Sequence, residues 1–465
     1  MKKTELQSKV GRIGRRRFLT AMTATGTVAA TPLWGGVSPG NSSPTAPLLD
    51  PKALEGKPWK LDVTIYDRPG WTSTIYGLPV LKRENNELVV GFQAQREDTI
   101  TDDFYSAHAE WVFLSSKDGG KSWEPIPLEQ LGLDPRWRER SPHCCNAWPV
   151  RLPDGTLINV VEDVPTSQAQ KERLEKVGLG HLWYPDSIFG WDLWPASHAE
   201  KLKEEGMQVF EQQGPWLPPG VVATHNRQPV VTVSHDGGRS WEERLIEGLP
   251  KFSHFLAWFR RGIALPDGTV LGVIYGVLGG MRGDTWRTGI PYALRSNDKG
   301  ETWQISPLVQ GPTGKHSFSE TDLLLLPSGR ILALIRGGGE AHLYQSYSDD
   351  GGGSWSQPVP TPIHGQPGNL LQLKSGNILC VYRVIGALGR KSGYAGRPVG
   401  YRGVLSYDEG KTWDVANEKV IRDDTLPGLV GYPSSVQLDD GTICTAYYIT
   451  LADRVTHSVA THWEV

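Results

Sequence analysis

Glu320 and Arg336 stand sixteen residues apart, on either side of a strand–turn–strand pattern centred on Leu-Leu-Leu-Leu-Pro-Ser-Gly329. Tyr432 opens a related pattern, Gly431-Tyr-Pro-Ser-Ser-Val-Gln-Leu-Asp-Asp-Gly441. A phenol ionises near pH ~10, so it acts as a nucleophile only with a base beside it. A carboxylate such as Glu320 can be that base, and a guanidinium can hold it or an anionic substrate. No C-x-x-C or Cys/His spacing suggests a metal, and this chemistry requires neither metal nor cofactor. His143, His225, His316, His342 and His364 occur singly along the chain, as structural histidines usually do.

Residues so distant in the chain meet only if the fold brings them together, and two internal repeats specify such a fold. The pattern Ser-x-Asp-x-Gly-x-x-Trp occurs five times: Ser116 to Trp123, Ser234 to Trp241, Ser296 to Trp303, Ser348 to Trp355 and Ser406 to Trp413. Ser and Asp side chains bond the backbone of a tight turn, Gly takes an angle other residues resist, and Trp anchors the next strand. Successive Asp residues are 118, 62, 52 and 58 apart, so one unit is enlarged. A second pattern, Leu-Pro-Asp-Gly-x-Leu or a variant of it, recurs six times. It starts at Leu81, Leu152, Leu265, Leu326, Leu373 and Leu438, and each copy leads into a β-rich apolar run. Six units of several short strands predict an all-β chain, a six-bladed β-propeller spanning 55–465. The last unit lacks an Asp turn, so a strand near Trp59 to Tyr66 is expected to complete it and close the ring. The enlarged second unit carries an insertion, 165–226, where Ser197-x-x-Glu200 reads as a helix capping box. Trp183, Tyr184, Phe189, Trp191, Trp194 and Trp216 in that insertion suit either a satellite core or an aromatic platform for sugars.

Composition agrees: 54 Gly, 34 Pro and 18 Trp among 465 residues fit a turn-rich globular protein, not a coiled coil, helical bundle or disordered chain. Residues 1–45 hold seven of the Lys/Arg and one acid, and the remainder carries a formal charge of −9, unsuited to nucleic acid. No apolar run reaches 18 residues, so no membrane span is expected in the mature chain. Arg15-Arg16-Arg17-Phe18-Leu19, a weakly apolar stretch and a Pro/Ser/Gly linker resemble a twin-arginine export signal. That resemblance implies the twin-arginine export machinery as a partner and a periplasmic or secreted destination. Cys380 and Cys444 lie in apolar strand-like runs and read as small buried hydrophobes, and the adjacent pair Cys144-Cys145 is not expected to bridge.

Five such turns on six blades resemble the Asp-box (BNR-repeat) propellers of the sialidase (neuraminidase) superfamily. The resemblance implies a site on the propeller axis and an exo-glycosidase that removes terminal acidic sugars, sialic acid first, from a glycan or glycoconjugate with retention. Sialic acid carries a carboxylate on its anomeric carbon. A neutral phenol therefore serves as nucleophile where most glycosidases use a second carboxylate. By the resemblance Tyr432 is the nucleophile, Glu320 its base and Asp102 the acid/base, with Asp98 and Asp103 as rivals. Arg336 and Arg397, with Arg402 a close rival, would bind the substrate carboxylate. One departure stands out: where the family has Tyr-Arg-Ile-Pro, this chain has Tyr76-Gly77-Leu78-Pro79. Losing one charge-assisted partner costs roughly 1.5–3 kcal/mol. Arg260-Arg261, at the start of the third blade, is the expected substitute. Two other readings stay open: a propeller lyase acting on uronate-containing polysaccharides, and a glycan-binding propeller without catalysis.

Overall fold

The computed structural model describes residues 59–97, 110–134, 147–163, 175–179, 184–186, 191–205, 207, 209–210, 220–225, 228–250, 252–256, 261–278, 289–308, 317–338, 342–384, 397–425 and 430–465. The chain is a six-bladed β-propeller of antiparallel sheets. Blade one holds Trp71–Lys82, Leu88–Arg96, Glu110–Ser116 and Glu124–Pro125. Blade two holds Val150–Arg151, Leu157–Asp163, Gln228–Ser234 and Glu242–Leu245. Blade three begins with the interrupted pair Phe252–Leu256 and Ile263–Ala264, then Val270–Leu278, Gly289–Ser296 and Gln304–Pro307. Blade four holds Ser317–Leu325, Ile331–Gly338, His342–Ser348 and Val359–His364. Blade five holds Gly368–Gln372, Ile378–Val384, Gly400–Ser406 and Lys419–Arg422. Blade six joins Val430–Gln437, Ile443–Thr450 and Thr456–Trp463 to the N-terminal strand Trp59–Thr64. Pairing of Val63 with Ala460 and Asp62 with Thr461 closes the ring, as the missing sixth Asp turn predicts. Arg422, buried in blade five, bonds Asp62 at 2.9 Å and so ties that joint to its neighbour.

Both faces of each blade are buried, which is why the second strands read as unbroken apolar runs. In blade four Ile331, Ala333 and Ile335 pack toward blade three, while Leu332 and Leu334 pack toward blade five. The main apolar clusters lie one at each of the six blade interfaces. Cys380 and Cys444 are buried in two of them, and burial pushes the Cys444 thiol up to about 12.

Each Asp turn uses its side chains as the sequence suggests. Asp118 Oδ1 accepts from Ser116 Oγ (2.8 Å) and from the amides of Lys121 (3.0 Å) and Ser122 (2.9 Å), and Ser116 Oγ accepts from Gly120 N–H (2.7 Å). Gly120 has φ 91°, and a Cβ there would stand 3.0 Å from Cys444 Sγ on blade six. Gly352 likewise faces Leu271 on blade three at 2.8 Å. The glycines thus let each turn seat against the preceding blade, besides supplying the angle.

Polar groups close a second ring around the axis. Trp148 of blade two donates to Pro79 C=O of blade one at 2.7 Å and bridges through its backbone to Arg261 of blade three. Arg261 binds Asp322 of blade four with both arms of its fork, at 2.9 and 3.0 Å. Asp322 also accepts from Asn369 (3.1 Å) and the Leu370 amide (2.7 Å) of blade five. Asn369 accepts from the Ser435 amide of blade six at 2.9 Å, and Ser434 Oγ reaches Val80 C=O of blade one at 3.3 Å.

The insertion in blade two is more sheet than helix. Tyr184–Asp186, Trp191–Pro195, Val209–Phe210 and Val221–His225 form a separate four-stranded sheet. The helix Ala199–Glu204 is preceded by a 3-10 turn, Ala196–His198, and no side chain caps it. Ser197 bonds His198 instead, so the expected capping box does not form. Trp194, Leu202, Val222 and Leu179 are buried together, which makes Trp194 part of a satellite core. Among the described residues no helix is long and apolar enough to cross a membrane. Residues 1–45, Asp98, Asp102, Asp103, Cys144, Cys145 and Arg260 lie outside the described residues.

Two outcomes are expected. Burial raises Asp118, but the Ser122 hydroxyl and amide outweigh it and bring it down to about 2; hydrogen bonding from Ser354 does the same for Asp350. A depressed carboxylate stabilises the fold fully above its ordinary value of 3.8 and loses that contribution as pH falls toward about 2. Tryptophan fluorescence should therefore report acid unfolding within that window. Arg261→Leu should strand the buried Asp322 charge and cost about 3–5 kcal/mol in denaturant unfolding; a loss below about 0.5 kcal/mol would remove the axial ring from the account of stability.

Candidate active site

Alternation along the strands decides what reaches the axis. The apolar run of each second strand ends on a residue five positions after its first member. Around the ring those positions are Gln93, Glu162, Tyr275, Arg336, Arg383 and Tyr448. Arg336 continues the Leu332–Leu334 face and so points toward blade five; Arg383 continues the Leu379–Val381 face and points toward blade six.

Glu320 emerges at a bulge in the first strand of blade four, between Phe318 and Thr321. Tyr432 emerges at a bulge in the first strand of blade six, between Gly431 and Ser434, with φ 50° in the left-handed region. For a bulky residue that backbone is strained, and such strain gathers at functional sites. A Cβ at Gly431 would stand 2.4 Å from Tyr448 Oη and 2.7 Å from Arg383 Nη1, so any larger residue there would displace these two side chains.

The two bulges bring the side chains into contact past blade five. Tyr432 Oη donates to Glu320 Oε1 at 2.9 Å. Arg336 Nη1 donates to the same oxygen at 2.7 Å, and Ser319 Oγ donates to Oε2 at 2.7 Å. Glu320 is buried. Burial alone would raise its pKa, but the Arg336 guanidinium and the hydrogen bonds from Ser319 and Tyr432 outweigh that and hold it below the ordinary carboxylate value of 4.5. Glu320 is therefore an ionised proton acceptor with a phenol already bonded to it. Among the described residues, the Arg336 guanidinium on Glu320 and the Arg383 guanidinium 5.2 Å from the Tyr432 ring centroid set two cations beside one carboxylate.

The other expected residues lie elsewhere. Arg261 does not stand in for the guanidinium missing at Gly77: its fork is committed to Asp322 and Leu370 C=O in the axial ring, two residues deeper along the strand than Glu320. Arg397 Nη2 binds both oxygens of Glu418, at 2.5 and 2.7 Å. Arg402 is buried on the carbonyls of Tyr401 (2.9 Å) and Arg422 (2.5 Å), with Glu418 at 3.5 Å. Tyr382 donates to the same Glu418. Tyr382 and Arg383 are consecutive in one strand, so the Glu418 cluster and Tyr432 lie on opposite faces of blade five. The His342 and His364 rings lie against each other, tilted by 50° with centroids 4.1 Å apart, on the outer strands of blade four.

Two members of the neighbourhood escape a reading of motifs. Gln366, in the link from blade four to blade five, accepts from Arg336 Nε at 3.2 Å through its side chain and from Arg383 Nε at 2.5 Å through its carbonyl. Arg383 could have been found by register, since Ile378 to Arg383 repeats the offset of Ile331 to Arg336. Gln366 has no such signal. Among the described residues no group of three His, Cys, Asp or Glu could hold a metal.

A BNR repeat-like domain matches residues 217–388. No curated protein sequence matches the chain. Among solved structures, a protein of unknown function from Dyadobacter fermentans DSM 18053 superposes with a TM-score of 0.60 at 23% identity, over 87% of this chain and 98% of that one. The leech intramolecular trans-sialidase complexed with 2,7-anhydro-Neu5Ac gives 0.51 at 13%, over 86% and 70%. The NanB sialidase from Streptococcus pneumoniae gives 0.50 at 14%, over 90% and 73%. These likenesses establish that the chain has a sialidase-like propeller fold.

Arg336→Gln removes the cation that keeps Glu320 ionised. It should raise the pH at which Glu320 takes up a proton and destabilise the protein at neutral pH by about 3–5 kcal/mol, measured by denaturant unfolding across a pH series.

Proposed function

We propose that this protein is an exported glycoside hydrolase of the sialidase type, acting on terminal acidic sugars of glycans. The observation that carries the reading is the 2.9 Å hydrogen bond from Tyr432 to a Glu320 held ionised by Arg336. Tyr432 oxygen attacks the anomeric carbon while Glu320 takes its proton. The glycosidic C–O bond breaks, and an acid, for which Asp102 is our candidate, protonates the leaving oxygen. Water then attacks the anomeric carbon and gives its proton to the carboxylate of the former acid; the C–O bond to Tyr432 breaks, Glu320 returns its proton to the phenol oxygen, and the configuration is retained. Arg336 supplies a guanidinium for the sugar carboxylate. Arg397 and Arg402 are assigned to Glu418 rather than to substrate. The Arg15-Arg16-Arg17-Phe18-Leu19 leader supports export by the twin-arginine route.

A fluorogenic sialoside should be cleaved by the mature protein, lost to background in Tyr432→Phe, and slowed about 10²–10⁴-fold in Glu320→Gln. Cleavage that persists in Tyr432→Phe would defeat the mechanism. New ultraviolet absorbance from uronate polymers would point to a lyase, and glycan binding without turnover to a non-catalytic propeller.

A further inference from the structure

The Val430–Gly431 peptide that leads into the left-handed backbone at Tyr432 is held at both its C=O and its N–H. Tyr401 Oη accepts from the Gly431 amide at 2.7 Å, and Arg383 Nη1 donates to Val430 C=O. Arg383 is itself fixed by Gln366, whose carbonyl accepts from Arg383 Nε at 2.5 Å and whose amide donates to Arg383 C=O at 2.9 Å. From this anchorage the Arg383 guanidinium lies 5.2 Å from the centroid of the Tyr432 ring.

We infer that Arg383 is a positioning residue for Tyr432: its fork locks the bulge that aims the phenol at Glu320 and sets a positive charge beside the ring. Among the described residues, the charged and titratable groups around Tyr432 are Glu320, Arg336, Arg383, Tyr401 and Tyr448. The Glu320 carboxylate opposes a negative charge on the phenol oxygen, and Arg336 offsets Glu320. Among these described groups Arg383 is the remaining cation, and its charge makes the surroundings favour a phenolate. The fork matters as much as the charge, because one arm holds Gln366 and the other holds Val430; a lysine offers a single mobile point charge. Only the catalytic consequence rests on the proposed function; the placement of Arg383 does not.

The test reads the ionisation of Tyr432 directly, as the ultraviolet absorbance of tyrosinate with the same background carrying Tyr432→Phe subtracted. In Arg383→Gln the Tyr432 signal should titrate about one pH unit higher than in the native protein, with Arg383→Lys in between. An unchanged titration in either folded variant overturns the inference, and Arg383→Lys decides alone should Arg383→Gln not fold. No turnover is needed: a shift in a protein that cleaves no glycoside would sink the proposed function and leave Arg383 in place, whereas Tyr432-dependent cleavage without a shift would do the reverse.

Discussion

Asp322 is a carboxylate with no exposed side-chain surface, near the axis on which the inner strands of six sheets converge. Such a charge persists only if every lone pair finds a donor. Its donors come from blades three and five, through Arg261, Asn369 and Leu370, so one anion on blade four fixes three blades in angular register. Trp148, Asn369, Ser434 and Ser435 extend the register around the remaining joints. Apolar packing between blades is strong but tolerant of small slides; directional bonds to a buried charge are not. The geometry above this ring inherits its precision from it, since Glu320 lies two residues from Asp322 on the same strand.

The tyrosine–glutamate contact is a consequence of that register. Tyr432 and Glu320 belong to blades six and four, and their 2.9 Å separation needs both first strands to break pleat at the right point. The strain at Tyr432 is held by groups that also serve packing: Tyr401, buried in the interface of blades five and six, and Arg383, anchored by the link between blades four and five. Three successive blades thus converge on one phenol.

Periodicity made the architecture legible in the sequence. Five Ser-x-Asp-x-Gly-x-x-Trp turns and six inner hairpins state their own structure, because each is stabilised within about eight residues of chain. The closing strand was legible by subtraction, from the unit that lacked its turn. In the insertion the helix forms as its local signals suggest, at Ala199–Glu204, but a 3-10 turn leads into it in place of the capping box, and the four-stranded sheet around it carries no comparable local motif.

The sequence by itself determined the six-fold repeat, the blade that carries the extra sheet, and the Glu320–Arg336 pair, whose offset is fixed by one hairpin. Tertiary structure alone decided which arginines share that neighbourhood. Arg261, Arg397 and Arg402 had suitable types and positions, yet the Asp322 carboxylate of the next blade claimed the first, and Glu418 and the strand carbonyls of blade five itself claimed the other two. Arg383 and Gln366 carried no motif, yet the joint between blades four and five set them against Arg336 and Tyr432. The reason is physical: a guanidinium goes to the strongest acceptor within reach, and which acceptor is within reach depends on how strands pair within a blade and how blades pack, which no local pattern encodes.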